Sequence, residues 1–315
     1  LRELDEEGIS GTPMRWARCG VVALGPANLI ATRAFKRGGF ELQDEGSQLV
    51  SELVAPPPGG RVLDACAGSG GKTLHLGALL QGKGRIAAVG VGPSAVRQLG
   101  ELRRRCERAG LHNVQVFWID EGDRVSGYDE VDDPVVRAED GSTVVDDPRV
   151  RAEDESTVVD DPSEVVTRDV GRTDEAETAR WPASLPTWLG KTDRVLIDAP
   201  CSGLGVLRRN PDTRFRLTPE TIPRLAALQL SILERFAPFV KPGGRLVYAT
   251  CSVLHEENDA VVASFLGGHP EFTVMPAKEI LGKPRALRIG DGTVLRLNPA
   301  EHGTDGFFAV VLRRG

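Results

Sequence analysis

The sequence predicts an α/β protein built around a doubly wound, mostly parallel β-sheet. Short apolar runs typical of buried strands alternate with longer segments of helical periodicity, and this alternation produces parallel sheets covered by helices on both faces. The chain has 315 residues, enough to bury such a sheet. Glycine-rich and polar segments follow several strands, at the sheet edge where open α/β sheets bind ligands.

The predicted elements follow one another in a regular order. The apolar runs predict strands at residues 61–65, 85–91, 113–120, 194–200, 245–250 and 307–314. Helical spacing predicts helices near residues 72–80, 94–109, 219–238 and 255–267. Residues 1–44 break this rhythm, and we interpret them as a separate, partial N-terminal segment that precedes a main domain at 45–315.

An acidic tandem repeat interrupts the main domain. A 14-residue unit occurs as VDDPVVRAEDGSTV and VDDPRVRAEDESTV, and begins a third time as VDDPSEVV. Residues 123–178 carry 19 acidic residues and 6 arginines, so they have a net charge of −13 and leave +7 for the rest of the chain. Such a composition predicts a solvated, poorly ordered insertion. The basic remainder fits a protein that binds a polyanion, although it is also typical of an ordinary surface.

The cysteines and histidines favour a reducing compartment and exclude a metal centre. The five cysteines, an odd number, include no C-x-x-C pair, and the five histidines are scattered. We find no signal-type leader and no apolar span of membrane length. We therefore expect a cytoplasmic protein without metal or membrane attachment.

Two cysteines, Cys201 and Cys251, each follow a predicted strand. Asp198, Ser202 and Gly203 lie near the first, and Thr250, Ser252 and Glu256 lie near the second. Because the carboxyl ends of parallel strands meet at one edge of a sheet, the two thiols are expected to converge on one crevice. The alternative interpretation is that each cysteine is a small buried apolar residue.

A glycine-rich turn, AGSGGKT at 67–73, joins the first strand to its helix. Glycines let the backbone approach a ligand closely, and the helix N-terminus favours negative charge, so the turn predicts a nucleotide-type site. A phosphate-binding P-loop is excluded because Cys66 stands where its first glycine is needed. A tight structural turn remains the alternative. Asp64 is placed to accept hydrogen bonds from a cofactor amine.

The next two strands bear on how a cofactor would be held. Enzymes that bind a ribose normally place a carboxylate at the end of the second strand, where this chain has Gly90. Asp120, at the end of the third strand, is placed to bind an adenine amino group, but a turn-forming Asp is an equally good interpretation.

Three segments together resemble the signature motifs of the Sun-type, RsmB-like RNA cytosine-C5 methyltransferases. They are DACAGSGGKT (64–73), DAPCSGLGVLRRNPD (198–212) and YATCSVLHEEN (248–258), and two flanking segments, FELQDEGSQLV and HGTDGFFAVV, are also similar. The resemblance implies a Rossmann-like class I methyltransferase fold with an antiparallel final strand. It also implies S-adenosylmethionine as cofactor, a catalytic domain at 45–315, and RNA binding as a candidate role of 1–44.

The resemblance implies the roles of four catalytic residues. Cys251 would add to C6 of the cytosine, because C5 is too weak a nucleophile to accept a methyl group unaided, and Cys201 would assist product release. Asp198 would hold the base by its N3 and amino edge, and Lys72 would contact the base or the catalytic groups. Arg208, Arg209 and Arg214 would bind RNA phosphates, or would form an ordinary basic loop.

The same resemblance implies a cofactor site made mainly from the glycine-rich turn. The expected cofactor-binding residues are Asp64, Cys66, Ala67, Gly68, Ser69, Gly70, Gly71, Lys72, Asp120 and Asp198.

Ribosomal RNA of the small subunit is the favoured substrate and transfer RNA the second candidate, with the enzyme acting as a monomer. Two rivals remain open. One is a non-catalytic RNA-binding or ribosome-assembly protein whose cofactor site is impaired at Gly90. The other is a DNA cytosine methyltransferase.

Overall fold

The computed structural model describes residues 1–119, 125–127 and 185–315, with only the backbone of 125–127. Asp120 and nearly all of the acidic repeat lie outside these residues, so their predicted roles stay predictions.

The strands form a small hairpin and one large sheet. The hairpin pairs β1 (Gly11–Pro13) with β2 (Val21–Ala23). The large sheet has nine strands within the described residues. They are β3 (Arg61–Asp64), β4 (Arg85–Val91), β5 (Val114–Ile119), β6 (Val125–Gly127), β7 (Thr192–Asp198), β8 (Val240–Thr250), β9 (Phe272–Met275), β10 (Leu295–Leu297) and β11 (Phe307–Arg314).

The sheet confirms the predicted fold class. Its strand order is β10-β11-β8-β7-β3-β4-β5-β6, with β9 paired to β11. The five strands from β8 to β5 run parallel, and β11 runs antiparallel to β8, as the predicted final strand should. The chain reverses its direction of travel across the sheet between β3 and β7, which creates the crevice where ligands bind in such folds.

Helices cover both faces of the sheet. The helices are α1 (Arg2–Asp5), α2 (Arg33–Lys36), α3 (Glu45–Val54), α4 (Gly71–Leu79), α5 (Pro93–Arg108), α6 (Thr213–Arg216), α7 (Thr221–Phe236), α8 (Asp259–Gly268), α9 (Lys278–Leu281), α10 (Lys283–Ala286) and α11 (Pro299–His302). Successive side chains of a strand point to opposite faces. Leu63 of β3 therefore packs in the cluster that contains Phe236 of α7, while Val62 packs in the cluster that contains Leu49 of α3.

All six strands and four helices predicted from the sequence are present, and their ends differ by a few residues. The largest differences are at β8, which begins at Val240 instead of residue 245, and at α8, which begins at Asp259 instead of near residue 255. The preceding residues form a turn because Glu257 and Asn258 bond to neighbouring loops with their side chains. The structure adds α3 and the short strands β6, β9 and β10, which the sequence pattern did not predict.

Residues 1–44 pack against α3 through two of its carboxylates. Glu45 accepts hydrogen bonds from the backbone N–H groups of Trp16 and Ala17, and Glu52 accepts one from Arg18. The Trp16 ring is buried and donates from Nε1 to the backbone carbonyl of His302. The segment is thus anchored to the main domain, while the division of the chain at residue 44 stays a prediction.

None of the described helices could span a lipid bilayer. The longest described helices, α5 and α7, have 16 residues each, whereas a spanning helix needs about 20 apolar residues.

Candidate active site

A cleft opens at the carboxyl ends of β3, β7 and β8. Because these strands are parallel neighbours, the loops that follow them share one edge of the sheet. The loop after β3 supplies Cys66, Ala67, Gly68, Ser69, Gly71 and Lys72 to the lining; β7 supplies Asp198, and the loop after β8 supplies Cys251. Most of the residues expected in a site are therefore together.

The two cysteines meet as predicted. The Sγ atoms of Cys201 and Cys251 lie 3.3 Å apart, but only Cys251 lines the cleft, whereas Cys201 is buried behind it at 7% exposure. The hydrogen bond to Cys251, together with burial, holds the pKa of the Cys201 thiol well above its ordinary value. Cys201 therefore keeps its proton near neutral pH.

A close backbone contact holds the two cysteine loops together. The N–H of Gly205 donates to the carbonyl of Cys251 at 2.8 Å, and the carbonyl of Gly205 accepts from Gly306 N–H. A Cβ at position 205 would lie 2.3 Å from the Gly306 carbonyl oxygen and 2.6 Å from that of Cys251. Only glycine allows this approach.

A buried carboxylate, Glu257, joins the same loops through side chains. Its Oε1 accepts from the backbone N–H of Ser202 at 2.8 Å and from the Gln229 amide at 3.0 Å. Its Oε2 accepts from the hydroxyls of Ser202 and Ser252, both at 2.5 Å. These four donors match the four acceptor positions of a carboxylate, and Ser202 and Ser252 directly follow the two cysteines.

Asn258 fixes the Cys251 loop from the next position in the chain. Its Oδ1 accepts from the Thr250 hydroxyl at 2.6 Å, and its amide donates to the Ser252 carbonyl at 3.0 Å. The residues on both sides of Cys251 are therefore held by one buried side chain.

Lys72 and Asp198 form an ion pair across the cleft, between Nζ and Oδ2. Burial favours the neutral amine of Lys72, but the Asp198 carboxylate outweighs burial and raises the pKa of Lys72. The ammonium group also lies 5.3 Å from the centroid of the Phe307 ring, in cation–π range. Lys72 therefore stays charged beside the cysteine loops.

The residues of the β3 loop fit the implied cofactor. Asp64 is fully buried, and its Oδ2 accepts from the Thr73 hydroxyl at 2.7 Å, while its Oδ1 has no hydrogen-bond partner. Such an oxygen is costly unless a ligand donates to it, and the amino group of S-adenosylmethionine is a suitable donor. Gly70 adopts a left-handed φ of 89°, which the tight turn requires.

Arg105, which the sequence analysis missed, supports the glycine-rich turn. Its guanidinium group is largely buried, donates to the Ser69 carbonyl at 3.0 Å, and pairs with Glu41 at 3.1 Å. Leu42, Gln43 and Asp44 also line the cleft. The last residues of the N-terminal segment therefore form part of the site.

Gly90 is enclosed by the helix that follows it. A Cβ at this position would lie 2.8 Å from Cβ of Ala95 and 3.0 Å from the Leu99 side chain. The close packing of α5 on β4 thus occupies the space that a ribose-binding carboxylate would need. Gln98, one turn along α5, is a polar cleft-lining side chain on this side.

The three arginines expected to bind RNA differ in their surroundings. Arg208 donates to Asp305 at 2.6 Å and to Asp44 at 3.0 Å, and Arg209 pairs with the other oxygen of Asp305. Since Asp305 is fully buried, these two arginines fasten the turn before β11 to the Cys201 loop. Arg214 is exposed on α6. RNA binding by the three stays a prediction.

The chain also matches a known protein family. Residues 51–136 and 163–313 match the family described as 16S rRNA methyltransferase RsmB/F. The chain belongs to this family. The family resemblance seen in the sequence motifs is thereby confirmed, and so is S-adenosylmethionine, the methyl donor of this methyltransferase family. The unmatched residues 137–162 fall within the acidic repeat.

Curated relatives cover nearly the whole chain. The probable ribosomal RNA small subunit methyltransferase B of Bacillus subtilis is 32% identical over 295 residues, which are 93% of this chain and 52% of that protein. Ribosomal RNA small subunit methyltransferase B of Pseudomonas putida is 30% identical over 310 residues, 98% of this chain and 55% of that protein. The chain thus spans about half the length of these relatives.

Solved structures share the fold. The crystal structure of PH0851 is 27% identical, with a TM-score of 0.69, and the match covers 99% of this chain and 56% of the PH0851 chain. A methyltransferase homologue from Pyrococcus horikoshii is 24% identical, with a TM-score of 0.64, and the match covers 100% of this chain and 81% of the homologue's chain.

The described residues contain no group of three or more metal-ligating side chains.

The burial of Asp64 predicts a pH-dependent affinity for S-adenosylmethionine. Desolvation raises the pKa of Asp64 from 3.8 to about 6, so the carboxylate is mostly protonated at pH 5 and mostly charged at pH 7. A cationic amine binds the charged form better. Calorimetry should show affinity rising by roughly tenfold between these pH values, and Asp64→Asn should bind weakly with a flat profile. An equally steep profile in Asp64→Asn would contradict this origin.

Removing the Glu257 carboxylate should destabilise the protein. Glu257→Ala leaves up to four buried donors without an acceptor, and each such group costs about 1–3 kcal/mol when unpaired. Urea unfolding should show a loss of at least about 2 kcal/mol. Glu256→Ala, which truncates the exposed neighbour, is the matched control and should be neutral. Equal stabilities of the two variants would disprove the bridging role.

Restoring a carboxylate at position 90 should not improve cofactor binding. Gly90→Asp forces α5 away from β4 and places a charge in a buried position, so we expect a lower melting temperature and no gain in S-adenosylmethionine affinity. Gly90→Ala separates the packing effect from the charge effect. A tighter dissociation constant in Gly90→Asp would show that the strand end has room for the carboxylate.

Proposed function

We propose that this chain transfers a methyl group from S-adenosylmethionine to C5 of a cytosine in RNA, with small-subunit ribosomal RNA as the substrate. The observation that carries the proposal is the arrangement of two thiols 3.3 Å apart, of which only Cys251 lines the cleft. An accessible thiol in hydrogen-bond contact with a buried one is suited to covalent attack followed by release.

In this mechanism Cys251 forms a covalent adduct with the base. Its thiolate adds to C6 of the cytosine, and the displaced electron pair makes C5 nucleophilic. Bound S-adenosylmethionine supplies the electrophilic methyl group. A base then takes the C5 proton, the C5–C6 double bond re-forms, and Cys251 leaves as thiolate.

Cys201 assists both the attack and the departure of Cys251. Its raised pKa keeps the proton on Cys201, so its S–H donates to the Sγ of Cys251. This hydrogen bond stabilises the Cys251 thiolate before addition and again when the C6–S bond breaks.

Asp198 and Lys72 provide the polar contacts to the base. The Asp198 carboxylate lines the cleft and binds the N3 and amino edge of cytosine, favouring protonated N3 while the thiolate adds. Lys72 orients this carboxylate through its ion pair with Oδ2, which leaves Oδ1 for the base.

The substrate proposal rests on the curated relatives, whose names specify ribosomal RNA of the small subunit. A cytosine must leave its stack to reach the thiols, so single-stranded or remodelled RNA is favoured over a duplex. Transfer RNA is the second candidate. We place the activity in the cytoplasm, in a monomer.

The roles of the two thiols are separable by mutation. Incubation with 16S ribosomal RNA and S-adenosylmethionine, followed by a denaturing gel, should show a covalent protein–RNA band for Cys201→Ala and none for Cys251→Ala. The Cys201→Ala variant keeps the attacking thiol but lacks the group that assists release, whereas Cys251→Ala lacks the attacking thiol. Cys19→Ala, at an exposed cysteine outside the cleft, should turn over normally. Adduct accumulation by Cys251→Ala instead would reverse the assignment.

Two further measurements separate the rivals. A binding-only protein would show no S-adenosylmethionine affinity by calorimetry, whereas the partnerless Asp64 oxygen predicts binding. A DNA methyltransferase would prefer a DNA oligonucleotide of the same sequence in a competition assay, whereas the proposed enzyme methylates the RNA.

A further inference from the structure

An aromatic side chain, Phe215, is exposed on α6, the short helix that follows the cleft-lining residues Arg209 and Asn210. With 75% of its surface accessible, it has the highest exposed fraction of any large apolar side chain in the described residues. Exposing a phenylalanine ring costs hydrophobic free energy, so its position on α6 calls for an explanation.

The helix that carries Phe215 is fixed to the Cys201 loop. Thr213, buried at the start of α6, lies with its Cγ2 3.7 Å from the Cβ position of Gly203. Its backbone N–H donates to the carbonyl of Asn210, which lines the cleft together with Arg209. Phe215 therefore lies on a helix whose start is fixed next to the cleft-lining residue Asn210, and not on a free loop.

Basic side chains flank the ring. The Arg214 guanidinium lies 4.6 Å from the ring centroid, so it covers one face of Phe215. Arg216 follows on the same short helix and is exposed. Unlike Arg208 and Arg209, which bind the buried carboxylate of Asp305, Arg214 and Arg216 are exposed and form no ion pair with a carboxylate among the described residues.

An aromatic ring backed by arginine matches what an unpaired nucleobase needs. Bases of single strands stack on aromatic side chains, and neighbouring arginines contact the phosphates. When the target cytosine leaves its stack, the adjacent base loses a stacking partner. An exposed aromatic ring close to the cleft can take the place of that partner.

Resting on the proposed function, we propose that Phe215 is a stacking site for an unpaired RNA base next to the target cytosine. Arg214 covers the opposite face of the ring, and Arg216 contacts the RNA phosphate backbone. The site acts in RNA binding and not in the chemical step.

The test compares Phe215→Ala with Phe215→Trp and with Leu287→Ala, a control at an exposed apolar residue that follows α10. Fluorescence anisotropy with a single-stranded RNA oligonucleotide measures binding, and methylation of unmodified 16S ribosomal RNA measures KM and kcat. For Phe215→Ala we expect RNA affinity to fall and KM to rise by roughly 5- to 150-fold, the range for one stacked base, with kcat and S-adenosylmethionine affinity unchanged. Phe215→Trp should retain wild-type binding, and so should Leu287→Ala.

Equal RNA affinity in Phe215→Ala and Leu287→Ala would overturn the inference, as would a loss of self-association in Phe215→Ala with RNA binding intact, because the ring would then cover a protein surface. The proposed function fails separately: if the wild-type protein methylates no RNA, the anisotropy measurement still decides whether Phe215 binds a base.

Discussion

The buried carboxylate of Glu257 is the interaction on which the active site depends. Parallel pairing of β7 and β8 brings the two cysteine loops to the same edge of the sheet, but pairing alone does not set the distance between side chains beyond the strands. Glu257 does so, since it bonds to the residue after each cysteine. The contact between Gly205 and Cys251 then leaves the loops no room to shift.

Burial and pairing together determine which groups of the site are charged. Lys72 is matched by Asp198 in a close ion pair, so neither charge is left alone in a low-dielectric cleft. Asp64 lies behind them with one oxygen unpartnered, and desolvation keeps much of its population neutral near pH 6. The glycine-rich turn therefore lacks one hydrogen-bond donor, which a ligand would supply to Asp64. The polar groups around the two thiols already have hydrogen-bond partners within the chain.

The sequence predicts the sheet and the meeting of the two cysteines because both depend on local patterns, whereas the roles of the site residues rest on the family resemblance. Apolar runs mark strands, and polar residues that follow parallel strands must share one edge. The supporting contacts were not predictable in this way. Glu256 and Glu257 are adjacent and chemically identical, and only the turn before α8 decides that the second is buried and the first exposed. Arg105 and Glu41 are 64 residues apart, so no local pattern connects them.

The ion pairs of Asp305 have a consequence for the order in which the site forms. Arg208 connects Asp305 to Asp44, residues separated by 261 positions in the chain, and β11 immediately follows, inserted between β8 and β10. During synthesis the chain emerges from its N-terminus. The cysteine loops are therefore made well before the strand and the carboxylate that close the site around them, so a nascent chain acquires a complete cleft only after residues 305–314 have left the ribosome.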